Sequence, residues 1–412
     1  MTELRRLLRL ADFRRLWLAQ LISDVGDSLT ILSLLFLVQR LTGDEAAVAS
    51  VLLVEALPAL VVGLVAGVWA DRWNLKRTMI GSDLIRAALV LALLLVDAAD
   101  DIWFLFVVVF LHASVGTFFR PARMKLLPRI VTGEQLLAAN SVNEATRVIG
   151  FAVGTALAGL LVGVTGVFAP VFLADAATFV LSAGLVARIA TPGDREPSHL
   201  ADTAGVRAEL AQGLGLMIRS RWLRGVLVGA TLAMVGLGAV NGLLVPFVLG
   251  ELGHSETWFG LLEVAQAGGV VLASAVVSSV ATRLRPGTLL GGGLVALGVV
   301  VGAFALSSSI LSLVALLLFV GLTVGPVQSS VVTILQTEAP PALLGRAASA
   351  MSASSTAAQV ASLALAAGLA SWVGVRSVFI IAGGVVVLAG IGSLLLFRSA
   401  TAARPMAASS SG

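Results

Sequence analysis

Apolar runs of about 20 residues recur from one end of the chain to the other, and a helix of that length crosses the hydrocarbon core of a bilayer. Of the 412 residues, 58% are hydrophobic and only 12% are charged. An ordinary soluble domain carries about 25% charged residues. The sequence therefore predicts an all-α polytopic membrane protein.

Twelve transmembrane helices are predicted from these runs. Their ranges are 15–39, 47–70, 77–97, 102–120, 139–164, 168–188, 223–249, 256–281, 288–307, 309–335, 346–371 and 375–397. One long polar stretch divides them into two sets of six. We therefore predict an N-terminal six-helix bundle (1–190), a cytoplasmic linker (191–221), a C-terminal six-helix bundle (222–398) and a disordered cytoplasmic tail (399–412).

The linker contains apolar side chains at helical spacing. They are Val206, Leu210, Leu214 and Met217. With polar residues between them, this spacing predicts an amphipathic helix on the cytoplasmic surface of the membrane. A solvated linker helix is the alternative interpretation.

Basic residues gather in alternate loops between the predicted spans. They occur in the N-terminal segment, after spans two, four, eight and twelve, and in the linker, whereas the intervening loops are acidic apart from Arg376. By the positive-inside rule, both termini lie in the cytoplasm. Because this topology accounts for the formal net charge of +4, we predict no nucleic-acid partner.

The sequence lacks the residues that several kinds of chemistry require. The chain has no cysteine, which removes disulfides and thiolate nucleophiles, and its three histidines lack metal-ligand spacing. No phosphate-binding G-x-x-x-x-G-K-[ST] loop and no G-x-S-x-G elbow occur. We predict neither an enzyme nor a bound cofactor or metal, so any transport work needs an energy source other than bound nucleotide.

The two sets of six spans resemble each other in sequence. Leu136 aligns with Leu343, and Val171 aligns with Val378, both at an offset of 207 residues. Since each set contains an even number of spans, both sets enter the membrane in the same sense. The pattern predicts a parallel repeat about an axis along the membrane normal.

Four ionisable residues are predicted to lie near the membrane midplane. They are Asp24 and Asp27 in span one, Glu55 in span two and His112 in span four. Asp27 lies about 17 Å from the cytoplasmic end of its span at 1.5 Å per residue. A carboxylate at such a depth costs about 2.5–3.5 kcal/mol, and neighbouring carboxylates raise each other's proton affinity. These four residues are therefore our predicted proton-coupling site; helix capping by either aspartate and a core position for His112 are the alternatives.

Other polar residues within the spans are predicted to line a substrate cavity. They are Glu144, Arg147, Asp175, Asn241, Glu263, Gln266 and Gln328. The apolar remainder suits a small amphipathic organic substrate that is cationic or neutral. Glu144 and Arg147 are three residues apart on one helix, so a mutual structural pair is the alternative for them.

Two cytoplasmic stretches carry a family resemblance. "GVWADRWNLKR" (Gly67–Arg77) is similar to the G-x-x-x-D-R-x-G-R-[RK] signature of the major facilitator superfamily, and "FFRPARMKLLPRIV" (Phe118–Val131) resembles the branch with macrolide-efflux proteins and the enterobactin exporter. Asn74 and Leu75 depart from the signature, and Thr155 replaces the proline of the antiporter pattern in span five.

The signature loop also predicts a cytoplasmic gate. Its members are Gly67, Asp71, Arg72, Lys76, Arg77, Asp83, Arg120 and Arg123. Acids and arginines in that position can latch one bundle against the other, and Gly67 permits close helix approach. The alternative is that the cations only set topology.

The resemblance implies a secondary active transporter that works by alternating access. We predict proton-coupled export of drugs or secondary metabolites across a prokaryotic cell membrane, with a small organic molecule, protons and the lipid bilayer as partners and the monomer as the working state. An importer or uniporter of a nutrient or siderophore is one alternative. A non-transporting receptor or assembly partner is the other.

Overall fold

The computed structural model describes residues 2–62, 73–131, 133–194, 203–280, 285–340 and 343–402. Within these ranges the chain forms α-helices joined by short connections, with no strand. The helices of the first half are α1 (Thr2–Arg9), α2 (Ala11–Thr42), α3 (Glu45–Val61), α4 (Leu75–Ala92), α5 (Ile102–Ile130), α6 (Gly133–Thr165) and α7 (Ala169–Ala187). Those of the second half are α8 (Thr203–Arg219), α9 (Arg221–Val245), α10 (Trp258–Val280), α11 (Pro286–Ala303), α12 (Ile310–Glu338), α13 (Leu344–Val373) and α14 (Val375–Ala402).

The predicted spans all overlap helices. Ten helical stretches among the described residues are long and apolar enough to cross a membrane. The two remaining spans correspond to α3, of which 17 residues are described, and to α10, whose apolar part Trp258–Ala273 is shorter. The all-α polytopic fold is confirmed, while the cytoplasmic placement of the termini stays a prediction.

The chain folds into two compact units. The first comprises Met1–Thr203 together with Gly253–Glu263, and the second comprises Ala204–Leu252 together with Val264–Gly412. The first unit thus contains a segment from the second half of the sequence. Our predicted domain boundaries stay predictions, although α14 continues to Ala402 and so enters the range predicted as the tail.

In the first unit, α2 packs against α6 and α7, and α4 packs against α5 and α7. Glycine makes the closest of these approaches possible. A Cβ atom on Gly154 of α6 would lie 2.4 Å from the carbonyl oxygen of Val25 on α2, so only a residue without a side chain fits there. The pair Gly150 and Gly154, four residues apart, forms the contact face.

Residues 189–194, which follow α7, are tied to the ends of two helices of the first unit. The carboxylate of Asp12 accepts hydrogen bonds from the backbone N–H of Ala190 at 3.0 Å and of Thr191 at 2.8 Å. The N–H of Leu75, at the start of α4, donates to the carbonyl of Gly193 at 2.8 Å. These bonds fix the start of the predicted linker against the first unit.

In the second unit, α9 packs against α13 and α14, and α11 packs against α12 and α14. The predicted linker helix is α8. Its Met217 is fully buried in a cluster with Leu223 and Ala347, and Gln212 accepts a hydrogen bond from Arg346 at 2.6 Å. The apolar side of α8 is therefore covered, in part, by protein of the second unit.

Arg376 departs from the charge pattern that otherwise follows the predicted topology. Its guanidinium pairs with Glu251 at 2.8 Å and donates to the carbonyl oxygens of Ala305 and Ser307 at 2.6 and 2.9 Å. These carbonyls belong to the connection between α11 and α12. A local structural role therefore accounts for Arg376.

Candidate functional site

Arg86 is a buried arginine in the middle of α4, within predicted span three, and it is not among the predicted site residues. Only 6% of the residue is exposed. Its guanidinium forms ion pairs with Asp27 of α2 at 3.1 Å and with Asp83 of its own helix at 2.8 Å. The signal that would have found it is its position inside an apolar span, three residues after an acid. A buried arginine of this kind needs such partners.

Asp83 is the fully buried partner of Arg86. Its Oδ1 accepts from Arg86, and its Oδ2 accepts a 2.6 Å hydrogen bond from the hydroxyl of Ser182 on α7. Both carboxylate oxygens are therefore satisfied. We predicted Asp83 as a member of the cytoplasmic gate, but the structure places it with Arg86 and Ser182, because its helix turns it towards the core between α4 and α7.

Asp27 is the more open partner of Arg86. The side chain is 34% exposed, whereas that of Asp83 is 0% exposed. His112 of α5 also lies close to it, with 3.7 Å between the His112 Nε2 and the Asp27 Oδ1. Two members of the predicted proton-coupling site therefore meet, and Arg86 joins them.

Aromatic rings surround the guanidinium of Arg86. It lies 4.2 Å from the centroid of the Phe179 ring and 5.4 Å from that of Phe119. The ring of His112 also packs edge-on against Phe179, at 5.6 Å between centroids. A cation over a ring face gains about 2 kcal/mol or more when desolvated, so the rings help to hold Arg86 away from water.

Asp175 of α7 is fully buried beside α2. Its Oδ1 accepts from Thr178 at 3.0 Å, whereas no described residue forms a hydrogen bond with its Oδ2. A Cβ atom on Gly26 would lie 2.2 Å from that Oδ1, so the carboxylate packs on the backbone next to Asp27. We predicted Asp175 as a cavity residue; a side chain with 0% exposure does not line a cavity in this structure.

Asp24 lies in a second polar group on α2. Its carboxylate accepts a hydrogen bond from the side-chain amide of Gln20 at 3.3 Å, and the guanidinium of Arg123 donates to the side-chain amide oxygen Oε1 of Gln20. Arg123, predicted as a gate residue, therefore belongs to the surroundings of Asp24. The charge of Arg147 on α6 also acts on Asp24. Through this charge, a predicted cavity residue influences a predicted coupling residue.

The remaining predicted coupling and cavity residues differ in exposure. Glu55 is exposed on α3, near enough to Asp27 for the two charges to interact. In the second half of the chain, Asn241 and Gln328 are exposed, and Glu263 and Gln266 are half-buried. The side chain of Glu144 lies outside the described residues.

The predicted cytoplasmic gate is described only in part. Gly67, Asp71 and Arg72 lie outside the described residues, so the latch stays a prediction. Lys76 donates to the carbonyl of Ile189, which is the same connection that Asp12 holds. Arg77 and Arg120 are exposed.

The charges of this site favour the binding of protons or other cations. We call Asp27, Asp83, Arg86, His112 and Asp175 the ionic cluster. It holds three carboxylates and one permanent cation, and excess buried negative charge is costly unless it is neutralised. No group of three or more His, Cys, Asp or Glu residues within the described ranges is placed to hold a metal ion.

A helical fold with apolar spans and an ionic cluster inside the membrane defines a membrane transporter, because charged groups at that depth mark transport pathways. The chain belongs to the Major Facilitator Superfamily, whose model matches residues 16–244 and 226–410. It is a multi-pass protein of the cell membrane and not an enzyme.

Relatives and solved structures agree with this family. The chain is 26% identical over 387 residues to macrolide efflux protein A of Streptococcus pyogenes, covering 92% of this chain and 94% of that one. It is 28% identical over 397 residues to the multidrug efflux pump Tap of Mycolicibacterium fortuitum, with the same two coverages. An inward-facing bacterial homologue of the iron transporter ferroportin has a similar fold, with a TM-score of 0.71, 18% identity and coverages of 97% and 100%.

Proposed function

We propose that this transporter exports small amphipathic organic molecules in exchange for protons. The efflux relatives support the direction and the substrate class. The observation that carries the coupling is Asp27, a partly exposed carboxylate whose partner is a buried arginine. When Asp27 binds a proton, its ion pair with Arg86 is lost, and Asp83, the second partner of Arg86, still neutralises the guanidinium.

The energy of the proton gradient is sufficient for export. One proton that moves inward supplies about 1.4 kcal/mol per pH unit and about 2.3 kcal/mol per 100 mV. Alternating access requires that Asp27 bind its proton on one side of the membrane and release it on the other. We propose that Glu55 and His112 modulate this step, and that one chain is the working unit.

Exposed polar side chains within the predicted spans support contact of each unit with water. Glu55, Asn241 and Gln328 are exposed on helices that cross the membrane, and polar groups at membrane depth face water or protein rather than lipid. Apolar spans that carry such polar side chains suit an amphipathic organic cation or neutral molecule.

The first test measures transport in proteoliposomes of defined orientation. With ethidium and erythromycin as probes, an imposed pH gradient should drive accumulation on the side that supplies protons, and Asp27→Asn should abolish that accumulation while leaving downhill exchange. Asp97→Asn is the matched control, because Asp97 is exposed beyond α4.

Transport in the opposite direction would support the importer instead. Full pH-driven accumulation by Asp27→Asn would show that another carboxylate carries the proton, and Glu55→Gln is then the next variant to measure.

A further inference from the structure

Arg86 is shared between two carboxylates whose surroundings differ. Asp27 keeps 34% of its side chain exposed, and Asp83 keeps none. Water or a cation can therefore replace the guanidinium at Asp27. Nothing comparable can reach Asp83 without opening the contact between α4 and α7.

The bonds at Asp83 make it the stronger partner. The Arg86–Asp83 distance is 2.8 Å, compared with 3.1 Å for Arg86–Asp27. The hydroxyl of Ser182 supplies a further 2.6 Å hydrogen bond to the opposite oxygen of Asp83. Breaking a buried pair leaves an uncompensated charge, which is strongly unfavourable, so Arg86 stays on Asp83 when Asp27 is neutralised.

We propose that Asp83, held by Ser182, is a fixed anchor for Arg86 and thereby sets the pH at which Asp27 gains and loses its proton. Asp83 acts through Arg86 and is a positioning residue, not a residue that carries the transported proton. The transport consequence of this anchor rests on the proposed function, whereas the protonation of Asp27 is measurable without transport.

Titratable and charged groups on α2, α3, α4, α5 and α7 surround Asp27, and Arg147 of α6 acts on its neighbour Asp24. The groups around Asp27 are Asp24 on its own helix, Glu55 on α3, Asp83 and Arg86 on α4, His112 on α5 and Asp175 on α7. Of these, Arg86 is the permanent cation in direct contact with Asp27. How strongly the guanidinium of Arg86 stabilises the ionised form of Asp27 depends on Asp83.

The decisive variants have opposite expected effects. In Asp83→Asn, one negative charge is lost and Arg86 pairs with Asp27 alone, so the pH of half-protonation of Asp27 should fall by about 1 to 2 units. In Arg86→Gln, the stabilising cation is lost, so that pH should rise by at least as much. Asp83→Glu keeps the charge and should restore a value near that of the wild type.

The measurement is infrared difference spectroscopy of the purified full-length protein in lipid, from about pH 2 to about pH 10, a range that brackets the ordinary carboxylate and histidine values. The carboxyl band of Asp27 is assigned by its loss in Asp27→Asn, and Asp97→Asn serves as the control. An unchanged midpoint in folded Asp83→Asn, or shifts of the same sign in both variants, would overturn the anchor. So would an Asp27 that does not titrate in this range.

A folding defect in Asp83→Asn leaves Arg86→Gln to decide, and the absence of a rise there refutes the proposal. Ethidium flux in the same variants separates the two claims. The expected spectroscopic shifts without any pH-driven flux in the wild type would contradict proton-coupled export and leave the anchor intact.

Discussion

At the scale of single residues, the ionic cluster depends on a contact that permits no side chain. The carboxylate of Asp175 and the hydroxyl of Thr178 both lie where a Cβ atom on Gly26 would be, at 2.2 Å from that position. Gly26 is the residue before Asp27. Because Gly26 has no side chain, the buried carboxylate of Asp175 on α7 can pack against the backbone of α2, the helix that carries Asp27.

Gly26→Ala should destabilise the protein and disturb the cluster. The added methyl group must push Asp175 and Thr178 away, and overpacking of this kind costs about 1–3 kcal/mol. Gly81→Ala, in α4, is the control: nothing lies within 4 Å of its Cβ position, so it should be neutral or stabilising. Thermal unfolding in detergent measures both, and equal melting temperatures for the two variants would disprove this account.

The residues of the site were predictable only in part. Ionisable residues inside apolar runs, such as Asp27 and His112, are conspicuous in a sequence, and the structure brings these two together. Arg86 and Asp83 follow a loop rich in basic residues in the sequence. Their charges were therefore difficult to distinguish from those of the loop. Which helix face points inward depends on packing between α4 and α7, and no local pattern specifies that.

At the scale of elements, helix ends follow backbone hydrogen bonding rather than hydropathy. The apolar run of span four ends near residue 120, but α5 continues to Ile130 through Pro121 and Pro128. Likewise α2 covers 32 residues, more than its apolar part. The spans were therefore predicted correctly as apolar segments, while the cytoplasmic extensions of the helices were not, because amphipathic turns there are stabilised by packing within the first unit.

One such extension holds the start of the linker. Asp12 accepts three hydrogen bonds from Ala190 and Thr191 and pairs with Arg15 at 2.9 Å. Asp12→Ala should lower the free energy of unfolding of the first unit by about 0.5–1.5 kcal/mol, since the exposed N–H of Ala190 and the partly buried donors of Thr191 lose their acceptor. It should also speed proteolysis after α7.

Limited proteolysis and thermal unfolding in detergent check this prediction. Asp100→Ala is the control because Asp100 is exposed at the start of α5. If Asp12→Ala and Asp100→Ala are cleaved at the same rate and melt at the same temperature, the anchor of the linker is not formed by Asp12.

At the scale of the whole molecule, the chain does not divide cleanly at its linker. Residues Gly253–Glu263 belong to the first unit although they follow α9. Within that unit, Glu256 pairs with Arg40 of α2 at 2.6 Å, and Phe259 packs edge-on against Phe36 at 4.9 Å between centroids. The predicted parallel repeat does not indicate this exchange, because a repeat describes only what the two halves have in common.

This segment is seated in a notch made by small residues of α6. A Cβ atom on Gly159 would lie 2.6 Å from the carbonyl oxygen of Glu256, and one on Gly163 would lie 2.4 Å from the side chain of Thr257. Backbone approach of this kind favours close and specific helix contact in lipid. The segment should therefore keep the two products of a cut chain together.

We expect that cleavage of the linker leaves a stable two-fragment protein. A protease site inserted after Glu196 in the full-length chain, cut after purification in detergent, should give fragments that elute together from an affinity column that binds only the first fragment. Glu256→Gln removes the charge that pairs with Arg40 and should weaken this association, whereas Glu251→Gln, in the second unit, should not. Separation of the fragments on cleavage, with the wild-type Glu256 in place, would show that the contacts of residues 253–263 are too weak to join the two products.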